Sequence, residues 1–331
     1  MPASPPPAPY AAALLDPADA SVRAGWAALL AASEQRTPFA TLAYAEAAAA
    51  AFGLTLRLAA ATDAEGELAA GAVLFERRRG PYRTVVVPPL TALTPFVLAR
   101  PPTEADVSRR RTPIDALLPL LDARYHALAF HLHPSTADVR PFTWAGYAAS
   151  PRYTYVQRLR PGPELLAEAS KNVRRCIRQA EATPLLEGPH LLGPMSEMAE
   201  AVVVRHEIGS EAWTRSFRAV LHPLVEAGAA RVFGLEGSGG EVEATQALLL
   251  AHGRAALLMN AGHGDANTIL LHRVREALFE AGIEEMDFVG ANVPGVSMFK
   301  RSFGPVLTPY YRVERYVRPE LRALALARPF L

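Results

Sequence analysis

The sequence predicts an α+β layer fold, built twice along the chain. Three observations carry this. After residue 150 the elements order as α-α-β-β-β-α-β-α-β, an antiparallel meander between helices rather than a strict β-α alternation. The first half follows a similar rhythm of helices, meander, helix and strand, without a literal repeat of residues. The 331 residues are 50% hydrophobic and 20% charged, enough to bury a substantial core in each half.

Residues 1–15 read as a disordered Pro/Ala-rich lead-in. Asp19 or Ser21 can cap a helix running to about Ala32. A second helix reads from Thr37 as N-cap, through Pro38 in the first turn, to Gly53 at the stop. β-like segments follow at "LTLRLAAAT", "ELAAGAVLFERRR" and "YRTVVVPPL". Then come a helix near Ile114–Ala123 and a strand at His126–His133.

The second half opens on the alternating strand "YTYVQRLR" and a helix spanning Pro163–Thr183. Helices at Pro194–Ile208 and Ser210–Ala227 come next. Three strands follow: "AARVFGLEG", "EVEATQALLLAH" and "GRAALLMNAGH". Ala266–Gly282 reads as an amphipathic helix closed by its glycine. The strand "IEEMDFVGA", a Gly-Pro loop, a short helix and the strand "VLTPYYRVERYV" complete it. The expected organisation is a first domain at 16–150, a second at 151–317 carrying the motifs, and a tail at 318–331 packing back on the first.

Composition removes several function classes. Net charge is +1, so no global field draws the chain to a polyanion. Cys176 is the only cysteine, which excludes an internal disulfide and a paired-cysteine zinc site. No basic residue precedes Arg23 and no apolar run is long enough to span a bilayer. The expectation is a cytoplasmic monomer without a transmembrane segment. GxSxG, GKS/T and GxGxxG are all absent, removing the usual hydrolase, NTPase and dinucleotide motifs. The histidines show no metal-ligand spacing, so no metal is expected.

Of 34 Lys and Arg residues only Lys171 and Lys300 are lysine. Lys171 opens "SKNVRRCIRQA". On a helix, Lys171, Arg174 or Arg175, and Arg178 share one face, with Val173, Ile177 and Ala180 opposite. Such a ridge can hold phosphates or carboxylates; it is equally what a plain solvated helix looks like. Cys176 lies among these arginines and reads as a packing residue. "MNAGHGDANT" joins a strand to a helix, a junction that can cradle an anion, but Asp265 places an acid there. Lys300 sits in "GANVPGVSMFKRSFG". Phe299 and Phe303 are four apart on one helical face, a way to hold a cation rigidly. The alternative is a snorkelling lysine at the edge of an aromatic core.

"KNVRRCIRQAE" followed by "MDFVGANVPGVSMFKRSFG" resembles the FemABX family of non-ribosomal peptidyltransferases. "TPFATLAYAEAAAAAFG" is similar to that family's N-terminal helix. The resemblance implies two tandem GNAT-like domains, each a mixed, mainly antiparallel sheet flanked by helices. It implies aminoacyl transfer from aminoacyl-tRNA to an amine of a peptidoglycan-precursor-type acceptor, with no tightly bound cofactor. Lys300 takes the family lysine's place at the reacting ester. Phe299, Phe303, Arg174, Arg175, Arg178, Asn172 and Asn292 become candidate substrate-binding residues, the arginines toward the tRNA acceptor end. His263 and Asp287 are the candidate bases by position.

Two other readings stand beside this one. A GNAT-like N-acyltransferase using acyl-CoA, in cell-envelope lipid or polysaccharide metabolism, would keep an open groove with free amides at Gly262–Ala266. A non-catalytic binding protein on the same fold would bury Lys300 against a carboxylate or turn it away from any cleft.

Overall fold

A computed structural model describes residues 10–180, 184–205, 211–237 and 239–327. The first half contains strands β1 (Ala11–Leu15), β2 (Thr55–Thr62), β3 (Leu68–Arg79), β4 (Tyr82–Val85), β5 (Phe96–Leu98) and β6 (Ala127–His131). Its helices are α1 (Ala20–Ala32), α2 (Leu42–Ala51), α3 (Glu104–Ser108), α4 (Pro113–Arg124) and α5 (Arg140–Trp144). β7 (Ala148–Arg158) leads into the second half, so the expected boundary near 150 falls inside a strand.

There the helices are α6 (Gly162–Glu168), α7 (Lys171–Gln179), α8 (Leu192–Arg205), α9 (Glu211–Glu226), α10 (Ala266–Glu280), α11 (Pro294–Arg301) and α12 (Pro319–Ala327). The strands are β8 (Leu185–Glu187), β9 (Ala230–Glu236), β10 (Val242–Ala251), β11 (Arg254–Gly262), β12 (Glu285–Asp287) and β13 (Val306–Tyr316).

All these strands join one mixed sheet, in the order β1-β2-β3-β4-β6-β13-β7-β12-β11-β10-β9-β8, with β5 on β3. β13 is the seam. Val306–Glu314 pairs antiparallel with β7, while Arg312–Tyr316 pairs with β6 of the first half. β11 and β12 run parallel for only three residues, Arg254–Ala256 against Glu285–Asp287, and then part. Asp287 is the last residue of β12, paired with Ala256 of β11 and Val156 of β7.

One core joins the halves. Trp26, Phe39 and Tyr44 of the first belong to the same buried cluster as Phe217, Leu221 and Leu224 of the second. Two further cores cover the opposite sheet face: one under α4 in the first half, one under α7, α10 and α11 in the second. The start of the tail meets the first half, where Val317 and Arg318 donate their amides to the His126 carbonyl.

Three sequence expectations need correction. Ala11–Leu15 is a strand paired with β2, not part of a disordered lead-in; pairing decides where propensity is silent. Residues 1–9 lie outside the described residues. Thr37 does not cap the second helix. Pro38–Ala40 forms a 3-10 turn, and Thr41 caps α2 by accepting from the Tyr44 amide. The helix expected over 163–183 is two helices. Ala169 is extended, and Ser170 starts the second helix by accepting from the Val173 amide. The break frees the Ser170 amide, which donates to the Ser302 carbonyl at 2.7 Å.

Candidate active site

That amide links the two lysine-bearing motifs. α7 begins one residue after Ser170, and Ser302 follows α11 directly. Gly304 completes the joint: a Cβ there would lie 2.6 Å from the Glu168 carbonyl oxygen, and its φ is +84°.

α11 is positioned from beneath. Arg275 of α10 is fully buried, with its guanidinium 4.9 Å from the centroid of the Phe303 ring. It donates to Gln157 Oε1 at 2.9 Å and to the Phe303 carbonyl at 3.3 Å. Gln157 Nε2 donates to the same carbonyl and to Glu168. Phe303 meets Phe299 edge to face at 5.2 Å. Phe303 is fully buried, so it cannot be the substrate-binding residue expected; it seats the helix.

Lys300 is 8% exposed. Its ammonium donates to the Phe288 carbonyl at 2.6 Å and the Val289 carbonyl at 2.5 Å. An ammonium has three donors, so one N–H remains. Nζ lies 3.4 Å from where a Cβ on Gly290 would stand, so glycine keeps the approach open. Burial brings the Lys300 pKa down to about 8, and the negative charge of Asp287 opposes that fall.

Asp287 Oδ1 accepts from Thr154 Oγ1 at 2.5 Å and from the Val289 amide at 2.7 Å. Burial pushes its pKa up; those hydrogen bonds and the Lys300 charge pull the other way. Val289 thus offers its amide to the acid and its carbonyl to the cation. Its φ of +55° is unfavourable for a β-branched residue.

Asp287 also lines a cavity of about 460 Å³ between the halves. The first half supplies Glu34, Arg36 and His133; the second supplies Arg254, Glu285 and Thr308. Arg254 bridges the two, donating to the Arg36 carbonyl at 2.8 Å and to His133 Nε2 at 3.1 Å, with Glu285 at 3.4 Å. On the other side of the ring, Nδ1 lies 3.1 Å from the Ser135 amide, which donates to it, and 2.9 Å from Ser135 Oγ. Burial first, then Arg254 and Arg36, drive the His133 pKa down to about 3, so the ring stays neutral. The cavity lining thus holds both cations and acids.

The remaining candidates divide. Lys171, Arg174, Arg175, Arg178 and Gln179 line an open hollow of about 460 Å³ on α7. Arg174 also turns its guanidinium onto the Ala169 carbonyl, closing the α6–α7 break. Asn172 is exposed on the same helix. Asn292 uses both amide atoms on the backbone of Tyr153, fixing the loop to β7, which replaces its expected substrate role with a structural one. His263 is exposed at the β11–α10 junction, away from the residues that line the Asp287 cavity, so Asp287 is the base candidate the geometry favours. Cys176 places Sγ 3.9 Å from the Asp265 carbonyl, and burial raises its pKa, the opposite of an activated thiol. The residues lining the α7 hollow and those lining the Asp287 cavity are separate sets, so the two motifs are stitched together without sharing a pocket.

Arg36, His133 and Arg254 were not singled out in the sequence, because the cavity forms only when the halves meet. A usable signal existed for Arg36, which directly precedes the "TPF" turn.

Residues 167–301 match the family description "Acetyltransferase (GNAT) domain". A crystal structure of FemX superposes with a TM-score of 0.70 at 13% identity, covering 92% of this chain and 98% of that one. A tandem GNAT protein from the clavulanic acid biosynthesis pathway gives 0.56 at 14% identity, with 94% and 99% covered. The C-terminal domain of a putative lysylphosphatidylglycerol synthetase from Agrobacterium fabrum gives 0.57 at 13%, with 93% and 95% covered. No curated protein matches the chain by sequence. No helix among the described residues is long and apolar enough to cross a membrane. Residues 167–301 thus match a GNAT acetyltransferase domain, and nearly the whole chain has the fold seen in FemX and in a tandem GNAT protein.

Proposed function

We propose that the chain transfers an aminoacyl group from an ester donor, aminoacyl-tRNA, to an amine of a peptidoglycan-precursor-type acceptor held between the halves. The observation that carries this is the coupled pair at the end of β12. Asp287 faces the cavity with its proton affinity raised, and Lys300 stands behind it with one N–H unused. Asp287 accepts the proton of the attacking amine as nitrogen bonds to the ester carbonyl carbon. Lys300 stabilises the negative charge that gathers on the carbonyl oxygen or the departing ribose oxygen, and as the ester C–O bond breaks the proton held by Asp287 passes to that ribose oxygen. A group so placed is typically worth about 2.7–4 kcal/mol in the transition state.

The donor assignment rests on α7 and on the β11–α10 junction. The Ala266, Thr268 and Ile269 amides donate back to the His263 and Asp265 carbonyls, and Cys176 of α7 packs over the turn. These contacts, with Asp265 itself, weigh against a CoA pyrophosphate there. The cationic hollow on α7 suits the phosphates of a tRNA acceptor end instead.

One observation favours the binding-protein reading: Lys300 is buried and feels a carboxylate, Asp287, as that reading requires. The two are separated by assaying transfer with aminoacyl-tRNA, acyl-CoA and precursor mixtures, wild type beside Lys300→Met. Aminoacyl transfer reduced about a hundredfold or more by the substitution supports the proposal. Equal turnover by both proteins removes the catalytic role of Lys300, and none by either favours the binding-protein reading.

A further inference from the structure

Nine large apolar side chains are conspicuously exposed among the described residues, and five of them surround α11. These are Tyr153 (42%), Val293 (50%), Met298 (70%), Val306 (68%) and Leu307 (50%). Contacts join all but Val306 into one region. Asn292, next to Val293, clasps the Tyr153 backbone. Ser297, next to Met298, meets the Tyr155 hydroxyl at 3.1 Å, and Tyr155 pairs in register with Leu307. Tyr153 and Tyr155 are two apart on β7, so they share the sheet face that α11 covers. Val306, next to Leu307 on β13, turns to the other face of the sheet.

The charge around this region is one-sided. No Asp or Glu occurs at 148–160 or at 288–313, although the whole chain has a net charge of only +1. Arg301 is exposed three residues from Met298 on the helix. Lys171 follows Ser170, whose amide holds the end of α11. Exposed apolar side chains rimmed by cations match a surface that is anionic outside and apolar just beneath.

We propose that the tip formed by α11 and the β7–β13 ribbon docks on an anionic lipid bilayer, with Met298 and Leu307 entering the headgroup–acyl boundary and Arg301 and Lys171 meeting lipid phosphates. Nucleic acid is the weaker match, because the exposed aliphatic side chains offer no stacking surface for bases. Of these residues only Lys171 also lines the α7 hollow assigned to the donor; Met298, Leu307 and Arg301 do not.

The test is sedimentation of the full chain with phosphatidylcholine vesicles, with and without phosphatidylglycerol, at low and physiological salt. The wild type is expected to bind the anionic vesicles, more weakly as salt rises. The double variant Met298→Asp, Leu307→Asp should lose at least tenfold in affinity, and Arg301→Ala about fivefold. Both should keep the wild-type unfolding midpoint, since these side chains are exposed. Failure to bind anionic vesicles at low salt overturns the proposal, and so does undiminished binding by the double variant. Equal binding of unacylated tRNA by wild type and double variant, without vesicle binding, assigns the charge to RNA and overturns it too.

Discussion

The Lys300 ammonium lies 2.5 Å from the carbonyl of Val289, a residue held at φ +55° with its amide on Asp287. One strained peptide segment therefore carries the cation on one side and the acid on the other. Gly290 follows at φ +67°, with the ammonium over its missing side chain. Gly290→Ala should lower stability by about 1–2 kcal/mol through the left-handed backbone alone. It should lower transfer further, because the new methyl crowds the unused N–H. Urea denaturation and initial rates, measured together, check both effects.

Activity should depend on pH as a bell. Asp287 must be ionised to accept a proton, and its raised pKa places the acidic limb above the ordinary carboxylate range. Lys300 must be charged, so the alkaline limb should lie near 8. His133, held near 3, contributes no limb at neutral pH.

Stability gives a matching signature. Lys300 titrates near 8 in the folded protein, against an ordinary value of 10.5. Between those values the unfolded chain binds more protons, so unfolding free energy should rise with pH there, relative to Lys300→Met. Below 8 lysine is charged in both states and the difference between the proteins should be flat. Denaturant titrations of the pair across this window read the slope.

Arg275 should matter to the fold more than any exposed arginine. Arg275→Met removes the donor to Gln157 and Phe303 and leaves those acceptors buried, a loss on the order of 3 kcal/mol. A loss under about 0.5 kcal/mol, the usual scale for a surface change, would contradict the positioning role.

Much of this was legible in the sequence. The alternation of "YTYVQRLR", the glycine stop after Ala266–Glu280 and the aromatic spacing around Lys300 each have a local cause, and each produced the expected element. The basic face of α7, with Val173 buried opposite, was equally readable. β1 was not, because an alanine-rich strand declares itself only by pairing with β2. The split between α6 and α7 depends on the distant Ser302 carbonyl, which no helical period reports. The cavity was hidden for the same reason: Arg36, His133 and Arg254 lie far apart in sequence and meet only where β13 joins the halves. Asn292 illustrates the converse. Its place in a shaped loop suggested a ligand, yet its amide is committed to Tyr153.

The most direct measurement is the single-turnover rate of aminoacyl transfer by Asp287→Asn across pH, beside wild type. Asparagine keeps an oxygen for Thr154 and the Val289 amide but cannot take a proton at neutral pH. The account predicts a rate at least a hundredfold lower, with the acidic limb gone and the folded stability near that of wild type. A rate within twofold of wild type, with the acidic limb intact, would contradict it.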